Sequence, residues 1–504
     1  MRRLILVAVL CVGAAVGSGC AVGPKFRRPQ APANAAYSPS PLPEASTASK
    51  VPGGESQRLI GGRDLAFEWW ELFESPKLSA LVEKALRANP SLPAARAALG
   101  EAQELVYAQR GFFYPSLDAT YQAERHKVAG NNYSSSQPGI QANGDNLTTN
   151  GVNQPLLYTF HTAQLTVSFV PDVFGGNRRQ VESLAAQAEA QRFALEAAYV
   201  TLASNVVAAA IQEASLRAQI TATRRIIDAE RESLKILREQ FRLGFAMRID
   251  VAAQEAALAQ ITSTLPPLEN ALEQTHDLIR ALTGDLPSDE AETFELEALR
   301  LPPELPVSLP AKIIEQRPDV RAAEAQLHSA DAQVGVAIAA MLPQFSITGS
   351  VGGTADEIPW LFRTGGTFWN LVGDVSQPVF AGGTLFHRER AARAGLRQAA
   401  AQYQSTVMTA YQNVADTLHA TLIDAEALAA DVDAEQATKV TYDLTRRQME
   451  AGYVNYLTLL AAETAYQQAL LARVQAQAMR FGDTVALFQA LGGGWWNRHE
   501  VAAR

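Results

Sequence analysis

The feature that most constrains the fold of this chain is a long internal repeat. Landmarks of the first half return in the same order in the second half, at a spacing of 228 residues at first and of 207 or 208 residues later. The matching landmarks are Leu81 with Leu309, Pro90 with Pro318, Pro115 with Pro343, Gly175-Gly176 with Gly382-Gly383, and Gly244 with Gly452. We therefore predict two structural copies, residues 58–284 and 285–491, with the same elements in the same order.

The two copies differ by an insertion. The spacing falls by about 20 residues between the proline pair and the Gly-Gly pair, so the first copy holds extra residues there. They fall at 127–161, a stretch rich in Asn, Ser and Gly, which is typical of a loop. We expect this loop to face the outside of the cell.

Each copy contains two short segments in which apolar and polar residues alternate. Residues 345–351 read FSITGSV and residues 163–169 read AQLTVSF. A strict period of two indicates strands with one oily and one wet face, which we expect near 115–126, 162–171, 345–353 and 368–377. A half-buried hairpin of a soluble protein fits this pattern, and so does a membrane barrel. Four strands are too few to enclose an open channel, so a barrel would have to be shared, and three copies of the chain would give twelve strands.

Very long helices are the second prediction. No proline occurs from 172 to 265 or from 379 to the end. A helix over about 177–241 would be roughly 100 Å long at about 1.5 Å per residue. Its apolar residues follow heptads, interrupted by Glu213, which is typical of a helix packed against neighbouring helices. The heptad positions are Leu195, Leu202, Ala209 and Leu216 in one series, and Tyr199, Val206, Ile220, Ile227, Leu234 and Phe241 in the other.

The first twenty residues have the pattern of a bacterial lipoprotein leader. Arg2 and Arg3 precede an apolar stretch at 4–16, and small residues then lead to Cys20. We predict that residues 1–19 are a signal peptide and that Cys20 carries lipid; the alternative is an ordinary secretory signal. Ala21 after the cysteine favours sorting to the outer membrane. Residues 20–57, rich in Pro, Ala and Ser, are predicted to be an extended acylated tether without a core, and residues 492–504 a C-terminal tail.

The sequence offers little chemistry for an enzyme. It has no phosphate-binding loop, no HExxH and no nucleophile elbow, and its seven histidines are scattered singly. Its two cysteines, Cys11 and Cys20, both lie in the leader region, which leaves no disulfide and no thiol ligands in the folded part. A net charge of −9 argues against nucleic acid as a partner. We therefore expect no catalytic residue, no metal and no cofactor apart from the covalent lipid.

Four motifs together resemble the outer-membrane factor family, which includes TolC, OprM and the NodT-type efflux lipoproteins. Residues 20–29 (CAVGPKFRRP) resemble the family's acylated start, and residues 378–383 (PVFAGG) its junction between strand and long helix. Residues 452–460 (GYVNYLTLL) are similar to its periplasmic tip, and residues 490–495 (ALGGGW) to its end. The likeness covers nearly the whole chain after the leader.

The resemblance implies an α+β membrane protein that forms a homotrimer. Three chains, with four strands each, would form a twelve-stranded outer-membrane β-barrel, continued by a long α-helical barrel in the periplasm. The protein would be lipid-anchored in the bacterial outer membrane and would be the passive exit duct of a tripartite efflux system for drugs or other small toxic compounds. Its partners would be outer-membrane lipid, a periplasmic adaptor and an inner-membrane pump, often of the RND type.

The resemblance also marks two helix reversals as adaptor-docking tips and as the gate. Gly244 with Asp250 is one tip, and Gly452 with Leu457 is the other; the plain alternative is that both glycines are only helix caps. The gate candidates are Leu457, Asp250, Thr458 and Glu463. For Glu463 a ring of three carboxylates and a solvated helix face are equally good explanations.

The gate departs from the family pattern at four positions. RND-type members often carry Asp and Arg where this chain has Ala461 and Thr464. TolC carries Asp and Tyr where this chain has Thr458 and Met449. The acidic rings of the family are therefore not carried over to this chain.

Three other functions compete with the efflux duct. The exit duct of a type I protein secretion system would share the fold, although a lipid anchor argues against it. A periplasmic adaptor lipoprotein would also have helical hairpins, but it would lack twice-repeated strand pairs. A periplasmic enzyme has no site to support it.

Overall fold

The computed structural model describes residues 21–30, 36–128 and 156–498. The predicted signal peptide and Cys20 lie outside these ranges, as do residues 499–504. The helices are α1 (Pro76–Ala88), α2 (Ser91–Gly111), α3 (Gly176–Arg242), α4 (Arg248–Thr283), α5 (Pro310–Gln316), α6 (Pro318–Ala339), α7 (Thr384–Glu450) and α8 (Tyr456–Ala490). The strands are β1 (Arg58–Gly61), β2 (Ser116–Val128), β3 (Leu156–Phe169), β4 (Glu304–Val307), β5 (Gln344–Ala355) and β6 (Thr367–Ser376).

One order of elements occurs twice along the chain. Two helices, two strands, a 67-residue helix and a shorter helix follow one another as α1-α2-β2-β3-α3-α4 and again as α5-α6-β5-β6-α7-α8. The chain separates into two compact units. One comprises 21–26, 103–128, 156–186 and 328–397 and holds the larger sheet; the other comprises 27–30, 36–102, 187–327 and 398–498 and holds both helix reversals.

The four predicted strands are confirmed and form one antiparallel sheet in the order β2-β3-β5-β6. The predicted loop at 127–161 was too long. Residues 127–128 pair with 156–157, and β3 begins at Leu156, because the run LLYTFH continues the ladder with β2. The remainder of that loop, 129–155, lies outside the described residues. A short parallel pair, β1 with β4, was not predicted from the sequence.

The predicted long helix is also confirmed, since α3 runs from Gly176 to Arg242. One 18-residue window of α3 is apolar enough to cross a membrane by composition, but 67% of it is buried inside the protein. Burial of that extent is what packing against other helices produces. The apolar heptads therefore serve helix packing, as their spacing predicts.

Glu213 interrupts the heptads because it holds three segments together. Its carboxylate is fully buried and accepts the backbone N–H of Phe294 at 2.7 Å. It also contacts Arg217 in its own helix and lies 3.2 Å from Nε2 of His276 in α4. A buried carboxylate needs such partners, so this break in the apolar pattern is a structural junction.

Parts of the predicted tether and of the predicted C-terminal tail pack against other segments. Within the tether, the amide of Gln57 is fully buried and donates to the hydroxyl of Thr484 at 3.2 Å. At the other end, the indole N–H of Trp495 donates to the carbonyl of Gln316 at 2.6 Å, and the ring is buried. The composition of these segments does not predict this packing, because composition alone does not show which backbone another segment covers.

Candidate functional site

The register of the sheet places its apolar residues in continuous rows. One row joins residues of all four strands, and the next such row lies two residues further along. The rows are Leu117, Val167, Gly349 and Leu371, then Ala119, Leu165, Val351 and Trp369. Residues two apart share a face, so these rows form one oily surface. Trp369 is 78% exposed and Leu371 71% exposed in the single chain.

The opposite face of the sheet is polar. Between the two apolar rows lies a row made of Asp118, Thr166, Ser350 and Asn370. The hydroxyl of Ser350 donates to Oδ1 of Asn370 at 2.8 Å across β5 and β6. A sheet with an exposed oily face and a polar face can separate a lipid phase from water.

The first helix reversal is built on Gly244. Its φ of +82° is left-handed, and the next residue, Phe245, donates its N–H back to Gln240 at 2.8 Å. This bond from the third residue beyond Arg242 closes the end of α3, and glycine takes the left-handed position without strain. Helix α4 then begins at Arg248, where the carboxylate of Asp250 accepts the N–H of Met247 at 3.0 Å.

The second reversal repeats this geometry. Gly452 has a φ of +81°, and Tyr453 donates its N–H to Gln448 at 2.9 Å. Asn455 caps α8 by accepting the backbone N–H of Thr458 at 3.0 Å and its hydroxyl at 2.9 Å. Both predicted glycines are thus helix caps.

The structure places the gate candidates in different surroundings. Leu457 is 42% exposed at the start of α8, so it is available to a neighbour. Thr458 is engaged by the Asn455 cap, and Asp250 is 7% exposed and engaged by the cap of α4. Glu463 is only 6% exposed, so the interpretation of a solvated helix face was wrong.

Glu463 belongs to a buried polar cluster between the two reversals. Burial, together with the carboxylate of Glu230, raises the pKa of Glu463 to about 7, and Arg446 lowers it in part. Glu230 is 1% exposed and accepts hydrogen bonds from Gln467 at 2.6 Å and from Gln254. Tyr456 donates to Oε1 of Gln254 at 2.5 Å. The cluster therefore joins α3, α4 and α8 through polar side chains.

Four of these residues, Glu230, Gln254, Tyr456 and Gln467, were not among the predicted site residues. A signal existed for Glu230, because the heptad series that ends at Leu216 reaches Thr223 and then Glu230 when it is continued by sevens. A charged residue in an apolar seam marks a buried polar contact, as at Glu213. Gln254 and Gln467 carry no comparable signal. Over 21–30, 36–128 and 156–498, no group of three or more His, Cys, Asp and Glu side chains could hold a metal.

Comparison with known proteins identifies relatives over nearly the whole chain. The sequence profile described as outer membrane efflux protein matches residues 81–285 and again residues 309–493. A probable efflux pump outer membrane protein of Pseudomonas putida, TtgC, is 26% identical over 97% of this chain and 96% of its own length. The pyoverdine export outer membrane protein OpmQ of Pseudomonas aeruginosa is 28% identical over 88% of this chain and 92% of its own.

Solved structures share the fold. The outer-membrane channel OprN superposes with a TM-score of 0.80 at 26% identity, covering 94% of this chain and 100% of that one. The CmeC outer membrane channel of Campylobacter jejuni also gives 0.80, at 20% identity, over 96% of this chain and 97% of its own. The order of helices and strands described above is therefore that of known outer-membrane channels.

Proposed function

Because the chain belongs to the outer membrane efflux protein family, we propose that it is the passive exit duct of a tripartite efflux system. As a member it is an outer-membrane transport protein and not an enzyme. The observation that carries the proposal is the oily face of the sheet, with two strand pairs that each lead within a few residues into a 67-residue helix.

We propose that three chains complete the membrane barrel. Within the described part of the chain, β2 and β6 each pair with one strand only, so the sheet has two open edges. An open edge presents unpaired backbone groups, which cannot be left unsatisfied in lipid. Pairing β6 of one chain with β2 of the next would satisfy these groups, and three copies would give twelve strands.

The exposed apolar side chains of α7 support a shared helical barrel in the periplasm. Large apolar residues stand exposed along this helix in the single chain, among them Met408, Ile423, Val440 and Leu444. Apolar residues at such density on a long helix favour packing against a neighbouring helix. A second copy of the chain would cover them.

The two reversals are proposed as the surface that docks a periplasmic adaptor. Phe245 and Tyr453 directly follow the two turn glycines, and each is 83% exposed. Exposed aromatic residues at matched positions are the side chains that dominate protein interfaces. The adaptor would connect the duct to an inner-membrane pump, and we propose a pump of the RND type, because relatives of this chain are named as outer membrane proteins of efflux pumps.

We propose small organic compounds as cargo. Relatives of this chain are named for toluene efflux, antibiotic efflux and pyoverdine export. A duct for type I protein secretion remains the alternative within the same fold. The periplasmic adaptor considered from the sequence is dropped, since the chain belongs to the outer membrane efflux family.

The test is native mass spectrometry of the full protein in detergent, followed by conductance in planar bilayers. We expect three chains per particle and a channel that needs all three. In cells, deletion of the gene should raise the accumulation of small dyes, and the wild-type gene should restore their export. A stable, conducting monomer, or unchanged dye export in the deletion strain, would contradict the proposal.

A further inference from the structure

A cavity of about 400 Å³ lies where the strands meet the long helix α3. It is lined by the end of α2, the β3–α3 junction, the end of α6 and the start of β5, and it is open on one side. Most of its lining is apolar, including Phe112, Val170, Phe174, Val336 and Phe345. Its volume falls in the range of about 300–1,000 Å³ that is typical of small-molecule sites.

The first described residues of the chain are fixed beside this cavity. The N–H of Val22 donates to the carbonyl of Phe174 at 3.1 Å, and Nε of Arg179 donates to the carbonyl of Val22 at 2.9 Å. Gly175 has a φ of +77°, and a Cβ there would lie only 2.5 Å from Cα of Ala21. Ala21 therefore packs directly on Gly175, between the lining residues Phe174 and Gly176.

This contact fixes where the described chain begins. Consecutive Cα atoms are about 3.8 Å apart, so any group attached to the residue before Ala21 starts a few ångströms from the Gly175 contact. A chain attached to the sulfur of Cys20 is thereby held at a high effective concentration at the cavity.

We propose that this cavity receives one acyl chain of the lipid carried by Cys20. The inference rests on the lipid anchor of the proposed function, and it adds a protein site for part of that lipid. The apolar lining would bury methylene groups, which favours occupancy by a hydrocarbon chain over water. A tethered chain has the advantage over a free phospholipid because its attachment point is already fixed beside the cavity.

A polar group at the wall supports a lipid rather than a bare hydrocarbon. Nδ2 of Asn177 is buried and has no acceptor among the described residues, whereas its Oδ1 accepts from Gln109 at 2.6 Å. An ester or amide carbonyl at the head of an acyl chain is an acceptor of the kind that Nδ2 needs.

The experiment maps where the acyl chains of the intact protein lie. Cells are grown with a fatty acid that carries a photoreactive diazirine at its far end, and the protein is purified from outer membranes and irradiated. Mass spectrometry then identifies cross-linked peptides. We expect cross-links that join the Cys20 peptide, through its acyl chain, to lining residues such as Val336 or Phe345.

A cavity-filling variant provides the control. Ala340→Trp places a ring at the exposed side of the cavity, and it should reduce those cross-links at least about tenfold while the mass of the acylated N-terminus stays unchanged. Ala119→Trp makes the same change on the oily face of the sheet and should leave the cross-links in place. Native mass spectrometry checks that both variants assemble.

The outcomes separate the two proposals. If Cys20 is acylated but its chains cross-link only to lipid, the cavity proposal is overturned and the efflux duct stands. If the lining residues cross-link to free phospholipid instead of the Cys20 peptide, the cavity is a phospholipid site and the proposal is again overturned. If the N-terminal peptide carries no lipid at all, the lipid anchor itself fails, and the cavity proposal fails with it.

Discussion

The side-chain amide of Gln467 in α8 donates a 2.6 Å hydrogen bond to the carboxylate of Glu230 in α3. The same carboxylate accepts from Gln254 in α4, and Gln254 accepts from the hydroxyl of Tyr456. These bonds connect the second reversal to both helices of the first. Because Glu230 and Gln254 are buried, removing a hydrogen-bond partner of either side chain is costly, and this couples the two reversals.

Replacing Gln254 should loosen both reversals together. Gln254→Leu removes the donor to Glu230 and the acceptor for Tyr456, and leaving such buried groups unpaired costs about 1–3 kcal/mol. We expect backbone amides around Gly244 and Gly452 to exchange hydrogen on the order of tenfold faster in the trimer. Gln260→Leu, on an exposed position of the same helix, is the matched control and should change nothing. Equal exchange in both variants would show that the network does not couple the reversals.

The buried carboxyl of Glu463 should make the tip sensitive to pH. Its pKa of about 7 in the folded protein lies above its ordinary value of 4.5, so the fold favours the protonated form. The contribution of this group to stability is therefore complete below about pH 4.5 and is lost as the pH rises through about 7. Of the charged groups near Glu463, Glu230 strengthens this effect and Arg446 weakens it; the hydroxyls of Tyr442 and Tyr456 also face Glu463.

Conductance in planar bilayers measures this effect. We expect the resting conductance to rise between about pH 5 and about pH 8, because the ionised carboxylate destabilises the closed tip. In Glu463→Gln the side chain cannot ionise, so the resting conductance of this variant should not change over the same pH range. Glu232→Gln removes an exposed carboxylate of α3 and should behave as the wild type. If the wild-type conductance does not change with pH in this range, Glu463 does not control the closed tip by its ionisation.

The sequence predicts the elements of the fold better than it predicts the polar contacts between them. Period-two alternation located all four strands of the larger sheet, and the proline-free stretch with its heptads predicted α3 to within one residue at each end. The end of β2 and the start of β3 were missed, because the insertion between them masked where pairing stops. Glu463 was misread as a possible surface residue because its burial depends on α3, which lies more than 200 residues earlier in the chain.

The insertion between β2 and β3 should lie outside the cell. The loop predicted at 127–161 is now limited to residues 129–155, because residues 127–128 and 156–161 belong to strands. An epitope placed within 129–155 should bind antibody on intact cells. The same epitope in the turn at 243–247 should bind only after the outer membrane is permeabilised. The reverse pattern would show that the orientation across the membrane is opposite to the one predicted.

The last prediction concerns the gate. Leu457 is 42% exposed at the start of α8, immediately after the Asn455 cap that fixes the direction of the helix. In a trimer, three such side chains could form a narrow apolar ring, which blocks ions by excluding water. Leu457→Ala should therefore raise the resting conductance and the leakage of antibiotics into cells. Asp250→Ala should raise them less, because Asp250 serves the cap of α4 within its own chain.

Two further measurements make this assignment specific. Leu278→Ala truncates a leucine of similar exposure, 50%, on α4, and it should leave the conductance unchanged. Divalent cations should block the channel only weakly, because Thr458 and Ala461 stand where family members carry acidic rings. If Leu457→Ala conducts and leaks like the wild type while Leu278→Ala does the same, the constriction lies elsewhere. If Leu457→Ala opens the channel at rest and Leu278→Ala does not, the apolar ring at Leu457 is the barrier to ions.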